Sequence, residues 1–213
     1  MILTKSFIAI AGNIGVGKST LTQLLANRLG WEPCFEAVTE NPYLADFYQD
    51  MPRWGFQSQA FFLSRRLQQH RALLQKECSV IQDRSVYEDA EVFAGNLFNQ
   101  GHMTNRDWHT YYELYTALCQ LLQPPDLIIY LKANVPTLLH RIAQRGRDYE
   151  RNISAEYLTQ LNTLYNRFIT NFTHCPVLTV ETDTLDFLFN DAHLDQVTQR
   201  IQDRLHGKET LTL

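Results

Sequence analysis

Three short stretches of this chain hold residues that can do chemistry together. Gly12-Asn13-Ile14-Gly15-Val16-Gly17-Lys18-Ser19 has the spacing G-x-x-x-x-G-K-S. Its glycines let successive backbone N–H groups point into one concavity. Lys18 can reach the outer phosphates of a nucleoside triphosphate, Ser19 can ligate Mg²⁺, and Thr20 follows at the helix start. Glu36 ends one short strand-like run, and Asp83-Arg84-Ser85 follows another. A carboxylate at Glu36 could take a proton from a hydroxyl nucleophile. Asp83 could hold Mg²⁺ or lie near the same hydroxyl, and Arg84 could contact phosphate or orient the acid. A fourth stretch, Arg141, Arg145 and Arg147 with Glu150, is the densest basic cluster. Arg141 and Arg145 share a helix face. Gly146 loosens the chain after them, so about 141–153 reads as a lid that closes arginines over a phosphoryl group. A solvated charged loop would show the same letters; the glycine cradle favours the lid.

Positioning these residues calls for a layered fold. Apolar runs at 7–11, 34–37, 79–82, 127–131 and 177–180 read as strands buried on both faces. Helical stretches at 19–29, 56–76, 86–98, 106–122, 135–145 and 155–172 lie between or beside them. Long helical connections between short strands predict an α/β architecture: a five-stranded parallel sheet with helices on both faces. In such sheets ligands sit at the carboxyl ends of strands, where Gly12, Glu36, Asp83 and Arg84 all fall. No linker or repeat interrupts residues 1–213, which read as one domain.

Composition narrows the class. The chain has 213 residues, is 45% hydrophobic and carries a net charge of −4. No global basic field draws it to a nucleic acid polymer or a membrane surface. Cys34, Cys78, Cys119 and Cys175 are scattered. That pattern, with no leader-like start, predicts reduced thiols in the cytoplasm.

The acceptor side carries aromatics around one amide. Tyr48, Trp54 and Gln59 lie downstream of Glu36, and Arg65 and Asp89 follow. Rings beside an amide suit a flat heteroaromatic base. Ordinary core packing accounts for Phe61 and Phe62. Helices 86–98 and 106–122 hold more apolar and aromatic residues than one packed face needs, which predicts a homodimer.

Taken in order, the cradle, Glu36, Tyr48, Trp54 with Gln59, Asp83-Arg84-Ser85 with Asp89, and Arg141 through Glu150 resemble the deoxynucleoside kinases. Glu40-Asn41-Pro42-Tyr43-Leu44, and Asp83 rather than Glu before Arg84, resemble the bacterial deoxyadenosine/deoxyguanosine kinase branch. The resemblance runs from about residue 7 to residue 180. It implies a P-loop kinase fold and transfer of the γ-phosphoryl group of ATP to the 5′-hydroxyl of a deoxyribonucleoside, a purine one, for nucleotide salvage. It also implies roles. Glu36 and Arg84 meet the 5′-hydroxyl, Tyr48 and Glu150 hold the 3′-hydroxyl, and Gln59 reads the base edge. Asp83 accepts the proton and lies close to Mg²⁺, while Arg141, Arg145 and Arg147 serve the lid. Arg65 and Asp89 form a charged pair that favours bases with amino groups or a purine edge over thymine. The interval from Trp54 to Arg65 is one residue shorter than in the animal enzymes, so Arg66 competes with Arg65 for that place. Reach to the hydroxyl favours Glu36 as the proton acceptor, family assignments favour Asp83, and both stand. A nucleoside monophosphate kinase using Arg53 as a clamp, and a nucleotide-dependent switch without turnover, are the alternatives.

Overall fold

The run Phe7–Gly12 (β1) is apolar and buried along its whole length. In the computed structural model of the protein, which describes residues 5–36, 40–187 and 190–206, it is the middle strand of a five-stranded sheet. The others are Glu32–Cys34 (β2), Val80–Asp83 (β3), Leu127–Lys132 (β4) and Val177–Glu181 (β5). Their order is β2-β3-β1-β4-β5, and every pairing is parallel. The predicted sheet is therefore present. β1 lies between β3 and β4, so the loop after Gly12 emerges beside Asp83 and Arg84.

Nine α-helices flank this sheet among the described residues: Lys18–Leu29 (α1), Leu44–Gln49 (α2), Met51–Leu74 (α3), Val86–Glu88 (α4), Gly95–Asn99 (α5), Asn105–Cys119 (α6), Val135–Arg145 (α7), Ala155–Asn171 (α8) and Asp191–His206 (α9). Ile8, Ile10, Leu21, Leu25, Leu127, Ile128 and Ile129 are fully buried between sheet and helices. None of the described helices is long and apolar enough to cross a membrane.

Several boundaries differ from expectation for local reasons. The second strand comes two residues earlier than 34–37, and Glu36 follows it instead of ending it. Ala37 lies outside the described residues. β2 is an edge strand, where Pro33 and its missing N–H are tolerated. α3 starts at Met51 because Asp50 caps it, accepting from the Arg53 N–H, with Pro52 in the first turn. The predicted helix 86–98 is interrupted: Asp89–Ala94 is π-helical, a rare form found often at functional sites. α2 and α9 were not anticipated.

Candidate active site

The glycine loop is shaped by backbone that side chains disfavour. Gly12 has φ +147°, and a Cβ there would stand 2.6 Å from the Leu131 carbonyl oxygen. Gly17, at φ +104°, turns the chain into α1. Lys18 Nζ donates to the Asn13 carbonyl at 3.0 Å, which folds the ammonium back over the loop. Burial, with Arg84 adding to it, pulls the Lys18 pKa down to about 8.

Opposite the loop stands a dense ionic cluster. Glu36 Oε1 lies 2.8 Å from Arg84 Nε and 2.9 Å from Arg66 Nη2. Burial pushes the Glu36 carboxyl up, but Arg84, Arg66 and Lys18 together overcome it and hold it at about 2. Arg66 also donates to Asp89 Oδ2 at 3.1 Å and to the Asp83 carbonyl at 3.0 Å. Asp89 shares Arg66 with Glu36, and burial lifts its pKa to about 6 against that arginine's pull. Arg84 is the one non-glycine residue with positive φ (69°) among the described residues. Its guanidinium rests over the Phe93 ring, 4.4 Å from the centroid.

Asp83 Oδ2 accepts from Ser19 Oγ at 2.5 Å, while its buried Oδ1 has no partner. Glu36, Asp83, Glu88 and Asp89 face Lys18, Arg66 and Arg84 in this cluster, and Arg145, Arg147 and Glu150 line the same cavity, so carboxylates and cations balance. An orphaned carboxylate oxygen on a residue bonded to a serine hydroxyl suits Mg²⁺ held by few side chains and substrate oxygens.

The segment expected to act as a lid begins on α7. Arg145 donates to Glu150 Oε2 at 2.6 Å, and Arg147 reaches Glu150 Oε1 at 3.4 Å. Tyr149 stacks on Tyr48, with centroids 6.0 Å apart. One cavity of about 370 Å³ is lined by Lys18, Ser19, Thr20, Glu36, Tyr48, Gln59, Asp83, Arg84, Asp89, Arg145, Arg147 and Glu150.

The family described as deoxynucleoside kinase matches residues 8–206. The chain is 37% identical over 206 residues to the deoxyadenosine/deoxycytidine kinase of Bacillus subtilis, covering 96% of this chain and 95% of that one. The chain belongs to the deoxynucleoside kinase family. It is 35% identical to the deoxyguanosine kinase of the same organism, over 94% of this chain and 98% of that one. Its fold is similar to that of the deoxyadenosine kinase of M. mycoides solved with dCMP and dCDP. The TM-score is 0.83 at 30% identity, covering 92% of this chain and 99% of the other. This is a phosphotransferase with the P-loop kinase fold.

The kinase departs from the sequence reading in four places. Arg65 does not face Asp89: it is exposed on α3, 3.5 Å from Glu40 and over the Phe61 ring. Arg66 takes that place, because α3 buries the face of Gln59, Leu63, Arg66 and His70. That 3.6-residue periodicity was available in the sequence. Trp54 does not line the cavity; it stacks on Tyr43, and Arg53 covers it. Arg141 turns to the outside of the loop, donating to the Val16 carbonyl at 3.0 Å and the Thr182 carbonyl at 2.7 Å. The Asn13 side chain ties the loop to α8: its Nδ2 donates to the Leu158 carbonyl and to Asn162, while its Oδ1 accepts from the Ile14 N–H at 2.7 Å, so it shapes the loop and points away from the cavity. Gly12, Ile14, Gly15, Val16 and Gly17 form the loop itself. Glu88 and Tyr165, both buried beside Arg84, were missed. Ser85-x-x-Glu88 is a capping-box pattern that pointed to Glu88; nothing in the sequence pointed to Tyr165.

Proposed function

We propose that this kinase transfers the γ-phosphoryl group of ATP to the 5′-hydroxyl of a deoxyribonucleoside, with deoxyadenosine or deoxyguanosine preferred, and so serves nucleotide salvage. The observation that carries the reading is the single cavity shared by Lys18 and Ser19 of the glycine loop, by Glu36 and Arg84, and by Gln59 and Asp89. A donor triphosphate and a nucleoside fit that division of labour. Its chemistry is mostly placement and charge neutralisation.

In this reading Glu36 and Arg84 orient the 5′-hydroxyl. Its proton passes to Glu36 or to Asp83. A carboxylate held near pH 2 is ionised at neutral pH, and in a loose phosphoryl-transfer transition state the proton need leave only late. Tyr48 and Glu150 hold the 3′-hydroxyl. Gln59 reads the base edge, with Arg66 and Asp89 at its far side. Lys18, Arg145 and Arg147 face the phosphates, and Arg141 braces the loop. Ser19 and Asp83 would hold Mg²⁺, whose charge offsets that of the phosphates. The protein works as a cytoplasmic homodimer through the outer face of the helices at 86–98 and 106–122; Val86, Tyr87, Glu88, Val92, Leu97 and Tyr111 are buried within the protomer, which leaves Tyr112 and Leu114 of α6 exposed for the contact.

The relatives' names divide among deoxyadenosine, deoxyguanosine and deoxyadenosine with deoxycytidine. The deciding assay is therefore ADP release with deoxyadenosine, deoxyguanosine, deoxycytidine, thymidine and dAMP as acceptors. A purine deoxynucleoside is expected to give the highest kcat/KM, and dAMP none. Arg53, which a monophosphate kinase would need as a clamp, is exposed over Trp54 and does not line the cavity. Turnover of dAMP above that of the nucleosides would reverse the assignment.

A further inference from the structure

Glu88 takes no step in the chemistry above, yet it is completely buried in the first turn after Arg84. Its two oxygens do different things. Oε2 accepts from the Ser85 N–H at 2.8 Å and from Ser85 Oγ at 3.1 Å, which closes a capping box. A cap requires no more than that. Oε1 accepts from the Gly12 N–H at 3.1 Å and from the Tyr165 hydroxyl at 2.8 Å, and it lies 3.5 Å from Arg84 Nη1. The Tyr165 hydroxyl in turn accepts from Arg84 Nη1 at 2.8 Å.

Arg84 is thus held between two carboxylates. Glu36 takes its Nε in the cavity, and Glu88 with Tyr165 takes its Nη1 behind. Its left-handed backbone costs energy in a non-glycine residue, so the surroundings must fix it. The same Oε1 that holds Arg84 also holds the first glycine of the phosphate loop. In a buried site such a charge-assisted junction is rigid, and small displacements of reacting groups cost rate heavily.

We infer that Glu88 is a positioning residue for phosphoryl transfer: its carboxylate ties the phosphate loop at Gly12 to Arg84, and so fixes donor and acceptor relative to each other. This rests on the deoxynucleoside kinase reading given above. Glu88→Gln keeps the shape and one acceptor oxygen but removes the charge. Tyr165→Phe removes only the hydroxyl relay.

The test measures kcat, both KM values and thermal midpoint for each variant and for the pair together. Glu88→Gln is expected to lower kcat about tenfold or more. Its nucleoside KM is expected to move less than about threefold, because uniform binding is untouched. Tyr165→Phe should lower kcat less, and the double variant should be no slower than Glu88→Gln alone, since both act through Arg84. A folded Glu88→Gln protein with a lowered midpoint but unchanged kcat would make Glu88 a cap and nothing more, overturning the proposal. So would multiplying effects in the double variant. If Glu88→Gln does not fold, unchanged kcat in Tyr165→Phe overturns it instead. Absence of nucleoside turnover in the unmutated protein would overturn the kinase reading as well; normal turnover unaffected by either variant overturns this inference alone.

Discussion

Arg66 Nε donates to Asp89 Oδ2 at 3.1 Å, and both side chains are buried. One guanidinium thereby serves two carboxylates, because its Nη2 also reaches Glu36. Its neighbour Arg65 is exposed, meets the exposed Glu40 and Gln68 and stacks on Phe61. Two adjacent arginines should therefore behave oppositely. Arg66→Ala leaves two carboxylates short of a cation, and breaking a buried pair costs about 3–5 kcal/mol. Arg65→Ala should change stability by no more than about 0.5 kcal/mol. Denaturant unfolding of the two variants measures the difference, and equal losses would reverse the assignment.

Base preference follows from the same pair. Thymine offers a methyl group and a carbonyl where Asp89 wants a donor, and a poorly paired buried polar group costs about 1–3 kcal/mol. Deoxyadenosine or deoxyguanosine should exceed thymidine at least about tenfold in kcat/KM. Asp89→Ala should narrow the gap, with Arg66 still held by Glu36. Because burial lifts the Asp89 pKa to about 6, the carboxylate is lost as pH falls through 6. Purine kcat/KM should fall on that acid limb, and Asp89→Asn should flatten it. Equal kcat/KM for thymidine and deoxyadenosine in the unmutated kinase would make the pair purely structural.

Lys18→Ala should abolish turnover while the nucleoside still binds, because a phosphate clamp of this kind supplies several kcal/mol of barrier lowering. With its pKa lowered to about 8, the free enzyme loses the ammonium as pH rises through 8. kcat/KM for ATP should decline there. The kcat limb should lie higher, since bound phosphate stabilises the charged form. Calorimetric titration of nucleoside into the variant, beside steady-state rates, checks both halves.

Glu36→Gln should lower kcat by about two orders of magnitude with little change in ATP KM. Asp83→Asn should in addition weaken the dependence on Mg²⁺, since its Oδ2 accepts from Ser19 Oγ at the end of the glycine loop. A nearly silent Glu36→Gln beside a dead Asp83→Asn makes Asp83 the base. Glu36 also bears on acid stability. Its folded pKa of about 2 lies below the ordinary 4.5, so its contribution is complete above 4.5 and is lost as pH falls toward 2. In Glu36→Gln that slope between pH 4.5 and 2 should be shallower in acid unfolding.

Light scattering at micromolar concentration should give the mass of a dimer. Tyr112 and Leu114 of α6 are exposed, and a cleft lined by Trp108, Tyr112, Tyr115 and Phe168 runs beside them. Tyr112→Glu should shift the population toward monomer. A monomer mass for the unmutated protein would refute the assembly.

The parts legible in the sequence are those set by local rules. The glycine loop needs left-handed backbone between a buried strand and a helix, and its letters announce that. α7 spans Val135–Arg145 as expected, because Asn134, Pro136 and Gly146 mark both ends within the chain itself. Glu36, Gln59, Asp83, Arg84 and Glu150, which line one cavity, could be singled out because strand ends, aromatics around one amide and a glycine-loosened basic run are local patterns too. Distances between segments far apart in sequence decided the rest. Which of two adjacent arginines turns inward depends on the face of α3 that meets β3 and the π-helical turn at Asp89. Trp54 and Arg141 carry suitable letters, but packing turns one onto Tyr43 and the other onto the Val16 and Thr182 carbonyls. Glu88 gains its place only when Gly12, Arg84 and Tyr165 converge on one oxygen. Side-chain direction at such sites is fixed by which neighbours can satisfy a buried charge, and those neighbours exist only once the chain has folded.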